Sequence, residues 1–108
     1  MKYILLKDPK NVKTILGVPL YRIQYVRDVS WLVSGSLGGW IASEDCLSQE
    51  GESFVGGNAY VFPESKVLDN AKVYGRAWVQ GKSILRGNGS AFDHAISTSL
   101  EPMPDLHK

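Results

Sequence analysis

The chain has two histidines, the residue type that most readily supplies a general base near neutral pH and that most commonly binds metals. They are His94, which follows Asp93, and His107. Two histidines without a third ligand at a useful spacing do not make a metal site, so we predict none. His94 is the one weak candidate for a catalytic base, because Asp93 would orient its imidazole only if the backbone turned back. The sequence favours a solvated histidine at position 94 and assigns no catalytic residue.

The other reactive side chains do not form a recognisable site either. Cys46 is a single cysteine, so it has no internal disulfide partner, and no CxxC or Cys/His cluster accompanies it. Three glycine clusters, Gly38-Gly39, Gly56-Gly57 and Gly87-Asn88-Gly89, lack the context of a nucleotide-binding motif, and we interpret them as corner glycines. No cofactor is predicted. The sequence distinguishes none of these carboxylates from solvated loop charges: Asp28, Glu44, Asp45, Glu50, Glu52, Glu64 and Asp69.

Length and composition predict one small domain. The chain has 108 residues, 44% of them hydrophobic, and a net charge of +1. Acidic and basic residues are interspersed, so no electrostatic footprint for nucleic acid or an anionic membrane is visible. The apolar run from Tyr3 to Leu6 is too short for a signal-peptide core, and no stretch approaches the ~20 apolar residues of a membrane span. We predict a cytoplasmic location.

The elements that must position any site are six-residue repeats. From Glu52 to Asp93 the sequence reads ESFVGG, NAYVFP, ESKVLD, NAKVYG, RAWVQG, KSILRG and NGSAFD, with no gap between repeats. The second place is always small, the fourth is aliphatic, and the sixth is Gly, Pro or Asp. A period of six fits neither an α-helix of 3.6 residues per turn nor a meander of hairpins.

This pattern predicts a short strand followed by a sharp corner. In a strand the second and fourth side chains point to one side, and the third and fifth point to the other. The residues at the sixth and first places favour the tight turn of a corner. Three such strands close a triangular coil of eighteen residues. The predicted core residues are Val55, Val61, Val67, Val73, Val79 and Leu85.

The repeats resemble those of hexapeptide-repeat proteins that fold as left-handed parallel β-helices. In that family an aliphatic residue is followed four places later by a small one, as in Val55/Ala59 and the six pairs that follow it. The resemblance implies a left-handed coil. It also implies two chemistries, acyl transfer with a His base and carbonic anhydrase activity with three His on a metal, and this sequence has neither constellation. The stretch from Tyr21 to Ala95 is also similar to bacterial and prophage hexapeptide-repeat, transferase-like proteins of unknown chemistry.

Outside the hexads the organisation is less regular. We predict an amino-terminal cap over residues 1–36, a β-helix of about three coils over 37–95, and a tail without repeats over 96–108. In the cap, Lys13 to Leu16 and Leu20 to Val26 are predicted to form a hairpin around a turn at Gly17-Val18-Pro19. That hairpin would cover the open pairing edge of the first coil. The first coil carries two extra residues between Leu47 and Val55, which we interpret as a bulged corner.

Large apolar residues at the third and fifth places are predicted to face outward in columns. Tyr60 and Trp78 align on one face with Phe62 nearby, while Leu68 and Ile84 lie on another. Tyr74, Phe92 and Phe54 share the third face. A small monomer rarely exposes three such faces, so each is covered by the chain's own hairpin or tail, or by a partner. The predicted interface residues are Trp78, Tyr60, Phe62, Tyr74 and Phe92.

The sequence is compatible with two functions. The first is a non-catalytic binding or structural module that self-associates or binds a protein partner, with inhibition of a host protein as one form of such binding. The alternative is a small acyltransferase of the hexapeptide type, working as an oligomer on acyl-CoA. That alternative is weakened because the hexads carry no inserted loop and no histidine until position 94.

Overall fold

The computed structural model describes residues 1–30 and 32–91, together with the backbone of a strand at Ile96–Ser97. Within these residues the chain is all-β, as predicted: it has strands and two short 3-10 helices, at Pro9–Asn11 and Glu44–Cys46. Neither helix in this part of the chain has the length and apolar character needed to cross a bilayer.

Four strands of ordinary length form the amino-terminal part of the fold. They are β1 (Tyr3–Leu6), β2 (Val12–Ile15), β3 (Val18–Tyr25) and β4 (Leu37–Ile41). Both β1 and β2 pair antiparallel with β3, and β3 also pairs antiparallel with β4. The predicted antiparallel hairpin is present, and β3 lies along β4, where it covers an edge that would otherwise be open.

The turn of this hairpin differs from the prediction. Leu16 and Gly17 join β2 to β3 with φ of 53° and 79°. Val18 and Pro19, which we had placed in the turn, instead open β3 opposite Ile15 and Thr14. A two-residue turn with positive φ at both residues matches the right-handed twist of the strands, and this favours it over a longer turn.

Eight two-residue strands follow, and they alternate among three sheets. In chain order they are β5 (Phe54–Val55), β6 (Tyr60–Val61), β7 (Lys66–Val67), β8 (Lys72–Val73), β9 (Trp78–Val79), β10 (Ile84–Leu85), β11 (Ser90–Ala91) and β12 (Ile96–Ser97). The first sheet continues from β4 through β6, β9 and β12; the second contains β7 and β10; the third contains β5, β8 and β11. Consecutive strands therefore visit the three sheets in a fixed rotation, and we call one passage through all three a circuit.

Each circuit is paired in parallel with the next. Trp78 lies opposite Tyr60, Ile84 opposite Lys66 and Lys72 opposite Phe54, so the offset is eighteen residues in every sheet. The first circuit is longer, because Tyr60 lies opposite Trp40, an offset of twenty residues. The two extra residues predicted after Leu47 account for this difference. The strand β12 pairs with β9, so the ladder extends past residue 95, where the repeat was predicted to end.

The core is built from the predicted places of the hexads. All six aliphatic residues predicted to point inward are fully buried: Val55, Val61, Val67, Val73, Val79 and Leu85. The small residues at the second place are buried as well, and Ala59, Ala71 and Ala77 have no exposed surface. Strand alternation therefore buries the second and fourth places as predicted, while Phe54, at a third place, is also part of the core.

The corners depend on residues in the left-handed region of backbone conformation. Asp69 has a φ of 58°, between the stacked corner residues Gly51 at 74° and Gly87 at 63°. At the corner after β6 the proline ring fixes φ of Pro63 at a negative value, and Glu64 takes the left-handed conformation instead, with a φ of 71°. A corner thus tolerates a non-glycine residue where the chain supplies no glycine.

Gly38 and Gly39 correct one interpretation made from the sequence. They are not at a corner but inside β4, and both are buried. A Cβ at Gly38 would lie 2.7 Å from the Tyr25 ring and from the carbonyl oxygen of Val55. A Cβ at Gly39 would lie 2.6 Å from Val55 Cγ1 and 2.8 Å from the carbonyl oxygen of Ala59. These glycines permit close packing of β4 against the core.

Candidate functional site

The outer face of the first sheet carries a row of aromatic residues in register. Trp40 of β4 lies opposite Tyr60 of β6, which lies opposite Trp78 of β9. The ring centroids of Tyr60 and Trp78 are 5.5 Å apart, and so are those of Phe62 and Trp78. The six-residue period predicted the alignment of Tyr60 with Trp78, because the parallel register places every eighteenth residue side by side, but it did not predict the addition of Trp40 at an offset of twenty.

The amino-terminal hairpin covers part of this face. Leu20 of β3, Trp40 and Phe62 form a buried cluster, and Ile15 and Val18 of the hairpin pack against it. Phe62 is 6% exposed. It is therefore unavailable to a partner, and this corrects its predicted role as an interface residue. The physical reason is that β2 and β3 extend the same sheet and carry apolar side chains over the column.

Tyr60 and Trp78 remain half-buried and line a groove of about 300 Å³. Lys13, Asn58 and Arg76 complete its lining, and we call these five residues the aromatic groove. The hairpin supplies Lys13, while the corners before β6 and β9 supply Asn58 and Arg76. The groove thus combines two rings, two cations and an amide beside two interior strands of the first sheet.

Cations and rings are closely associated on this face. Lys13 Nζ lies 4.6 Å from the centroid of the Trp40 ring and 5.4 Å from that of Tyr60, and it donates a hydrogen bond of 3.1 Å to the Tyr60 hydroxyl. Arg22 lies over the same Trp40 ring, with Cζ 5.1 Å from its centroid, and donates to the Gly38 carbonyl oxygen. Two cations thus lie within cation–π distance of Trp40, and the negative charge at the face of an indole ring stabilises such contacts.

Hydrogen-bond acceptors are scarce on this face. The indole N–H of Trp40 is buried and has no acceptor among the described residues. Among the described residues, the ion pairs join Arg27 to Glu52 and Lys82 to Glu64, so no carboxylate in that part of the chain neutralises Lys13 or Arg76. A ligand with acceptor oxygens would complement the groove electrostatically.

Of the other two predicted interface residues, Tyr74 follows a strand of the third sheet and Phe92 lies outside the described residues. On the third sheet, the Tyr74 ring lies 6.3 Å from that of Phe54, and Tyr74 is half-buried. Phe54 is 1% exposed and belongs to the main core. On the second sheet, Leu68 and Ile84 are half-buried.

The sequence-based candidates for catalysis and metal binding do not converge in the described part of the chain. His94 and His107 lie outside it. Cys46 is buried, with Sγ donating to the Phe62 carbonyl oxygen at 3.6 Å, as in a packed structural thiol. No group of three or more His, Cys, Asp or Glu within the described residues is arranged to hold a metal ion.

A buried polar network at the amino-terminal end was missed by sequence reasoning. Lys2 has no exposed surface, and its ammonium donates to the carbonyl oxygen of Ser53 at 2.7 Å, the Ser53 hydroxyl at 3.1 Å and the Glu50 carbonyl oxygen at 3.4 Å. Burial first, and then the charge of Arg27, lower the pKa of Lys2 from its ordinary value of 10.5 to about 8, with Glu52 opposing the shift. Three oxygen acceptors match the three donors of the protonated amine.

Two buried tyrosines complete the network. The Tyr25 hydroxyl donates to the carbonyl oxygen of Val55 and accepts from its N–H, both at 2.9 Å. The Tyr3 hydroxyl donates to the Leu47 carbonyl oxygen, and the Gln49 side chain bonds the N–H and carbonyl groups of Tyr3. Burial raises the pKa of both tyrosines well above the usual range. These contacts satisfy backbone groups of the first circuit, so we assign the network a structural role.

Nearby, Glu52 lies at the surface of the same end. Its carboxylate accepts hydrogen bonds from the Ser30 backbone N–H at 2.7 Å and from Arg27 at 3.2 Å, and these bonds lower the pKa of Glu52. This pair joins the loop before β4 to the start of the hexads. It accounts for one of the carboxylates that the sequence left unassigned.

No protein-family model and no curated protein matches the chain.

Proposed function

We propose that the chain is a short left-handed parallel β-helix that acts as a non-catalytic binding module and holds a protein partner in the aromatic groove. One observation carries the proposal: Tyr60 and Trp78 are half-exposed in a groove beside two cations that no carboxylate of the described chain neutralises. Trp, Tyr and Arg are the residue types that most often anchor protein interfaces.

The backbone around the groove is paired on the side of the next circuit, and this supports a binding role. The Tyr60 N–H donates to the Ala77 carbonyl oxygen at 2.9 Å, and the Phe62 N–H donates to that of Val79 at 2.9 Å. The rings rest on the buried cluster of Leu20, Trp40 and Phe62. A side chain held by a paired strand and a packed base loses little conformational freedom on binding, so more of the contact energy appears as affinity.

The lining of the groove favours binding over bond-making chemistry. It offers an ammonium, a guanidinium, an amide and two rings. These groups orient and neutralise a ligand, whereas acyl transfer requires a base placed against a thioester and an acceptor. The acyltransferase alternative gains no support from the groove.

A second copy of the chain and a different protein are both suitable partners, and one experiment distinguishes them. A photo-crosslinking amino acid is placed at position 60 or, as a matched control, at the outward position 84 of the second sheet. Crosslinked products formed in cells are identified by mass spectrometry, and the mass of the purified chain is measured by light scattering. We expect a defined product from position 60, which Trp78→Glu abolishes while circular dichroism shows a folded chain.

A different outcome would reject the proposed role of the groove. Equal crosslinking from positions 60 and 84, together with a mass that Trp78→Glu does not change, would show that the groove is an ordinary solvated surface.

A further inference from the structure

The aromatic groove also indicates what kind of partner segment it accepts, an inference that rests on the binding role proposed above. We propose that the groove binds an extended acidic peptide segment in which carboxylates alternate with proline or aliphatic residues. The distinguishing observation is the combination of Arg76 and Lys13, which lack carboxylate partners within the described chain, with the adjacent faces of Trp78 and Tyr60.

The cations require an anionic ligand group. Arg76 is exposed, and among the described residues no carboxylate lies within ion-pair distance of its guanidinium. Its planar fork matches a carboxylate with two parallel hydrogen bonds. Lys13 has three N–H donors and gives one of them to Tyr60, so further donors are available to the same ligand. Asn58 adds an amide that pairs with the backbone of a peptide.

The rings require a flat or compact apolar group beside that anion. Tyr60 and Trp78 are inclined at 58° with centroids 5.5 Å apart, which forms a shallow V rather than a flat stack. Proline-containing extended segments dock in such aromatic grooves because their backbone is already ordered before binding. An alternation of carboxylate and proline therefore satisfies both halves of the groove.

A single-stranded nucleic acid is the competing anionic ligand with flat groups. Its affinity comes largely from many phosphate contacts along a continuous basic surface. The chain has a net charge of only +1, and two cations line the groove. A short carboxylate segment needs only the local pair of charges, so the charge distribution favours the peptide.

The test measures fluorescence anisotropy of three labelled probes with the full chain: an oligopeptide of alternating Glu and Pro, the matched Gln-Pro oligopeptide, and oligo-uridine. We expect the Glu-Pro peptide to bind most tightly. Arg76→Gln is expected to weaken it about tenfold or more, since a charge-assisted pair is lost. Arg86→Gln removes the same charge from an exposed corner outside the groove, and we expect it to leave the affinity within about twofold, because exposed charges at a distance are screened.

Each other outcome overturns the inference in a distinct way. Equal loss in Arg76→Gln and Arg86→Gln means attraction to the overall charge. Tighter binding of oligo-uridine assigns the groove to nucleic acid, and absence of binding to all three probes excludes the acidic segment. Equal binding of the Glu-Pro and Gln-Pro peptides, lost in Trp78→Ala, would reject the acidic specificity while leaving the binding role intact. Crosslinking from position 60 without peptide binding would do the same.

Discussion

The hexad region and the amino-terminal end solve the same backbone problem by different means. In the hexads, each circuit provides hydrogen-bond partners for the backbone of the previous circuit. The Phe54 N–H, for example, donates to the Ala71 carbonyl oxygen at 3.1 Å. At the amino-terminal end there is no preceding circuit, and side chains take its place: Tyr25 bonds both backbone groups of Val55, while Lys2 bonds Ser53. The comparison shows that neighbouring circuits satisfy each other's backbone groups within the repeat, whereas side chains must satisfy them at its amino-terminal boundary.

This difference has an energetic consequence. Stability in the hexads depends on the volume and polarity of a narrow core. At the amino-terminal end, which we call the capped end, it depends on satisfied hydrogen bonds and on the close packing of β4 against the core. Substitutions in the two regions should therefore destabilise the fold through different mechanisms.

The largest effect is expected from a charge placed in the hexad core. Val73 has no exposed surface, so Val73→Asp buries a carboxylate without a partner and should destabilise the fold by ~4 kcal/mol or more. Lys72→Asp, one residue earlier on the outward side of β8, is the matched control and should change the stability by less than ~1 kcal/mol. Urea denaturation measures both. Similar stability of the two variants would contradict the assignment of Val73 to an inward place and Lys72 to an outward one.

At the capped end, removal of a single hydroxyl oxygen should lower the stability of the fold. Tyr25→Phe leaves the N–H and carbonyl groups of Val55 without their partner, and we expect a loss of ~2–4 kcal/mol. Tyr21→Phe removes the same atom from a half-buried ring on the same strand, where the ring lies beside Lys7, and should be nearly neutral. If both variants unfold at the same urea concentration, side-chain replacement of the missing circuit is not what stabilises this end.

Close packing at the junction is tested by two glycines. Gly39→Ala places a methyl group 2.6 Å from Val55 Cγ1, and we expect destabilisation of ~1–3 kcal/mol. At Gly56 the same methyl group would meet the Phe54 ring at 3.6 Å, an ordinary contact, so Gly56→Ala is expected to be close to neutral. Thermal unfolding compares the pair, and an unchanged Tm for Gly39→Ala would contradict the tight junction.

The smallest effect is a dependence of stability on pH that originates at Lys2. Its native pKa of about 8 lies below its ordinary value of 10.5, so between these values the unfolded chain binds more protons than the native chain. The free energy of unfolding should therefore rise with pH in this window, by at most ~1.4 kcal/mol per pH unit. Lys2→Met should lack this rise.

The tyrosines act in the opposite direction at higher pH. Because burial raises the pKa of Tyr3 and Tyr25 above 10.0, these groups stay protonated in the native state while they ionise in the unfolded chain. Stability should fall as the pH increases beyond that value. Urea titrations of the parent and of Lys2→Met from pH 8 to pH 10 isolate the Lys2 contribution, because the two chains share the tyrosines, and parallel profiles would mean that the amine is not perturbed.

The sequence predicted the hexad region well and the capped end poorly, for a physical reason. Val61 and Val79 could be placed in the core because a fixed period repeats the same environment. The contact between Lys2 and Ser53 spans 51 residues and occurs once, so no periodicity signals it. The same holds for the groove, where Trp78 was predicted from its column but Lys13 reaches the groove through the hairpin.

The capped end has one further consequence, for correct folding. Successive circuits carry nearly the same inward residues, so a ladder displaced by one whole circuit would still bury valines, and the hexads by themselves do not define which strand comes first. The first circuit is different: it is two residues longer, and β4 approaches Val55 closely because it carries Gly38 and Gly39. Among the described residues only Val55 meets both the Tyr25 hydroxyl and the glycine strand, so this end gives the repeat a defined starting point and disfavours slipped pairings.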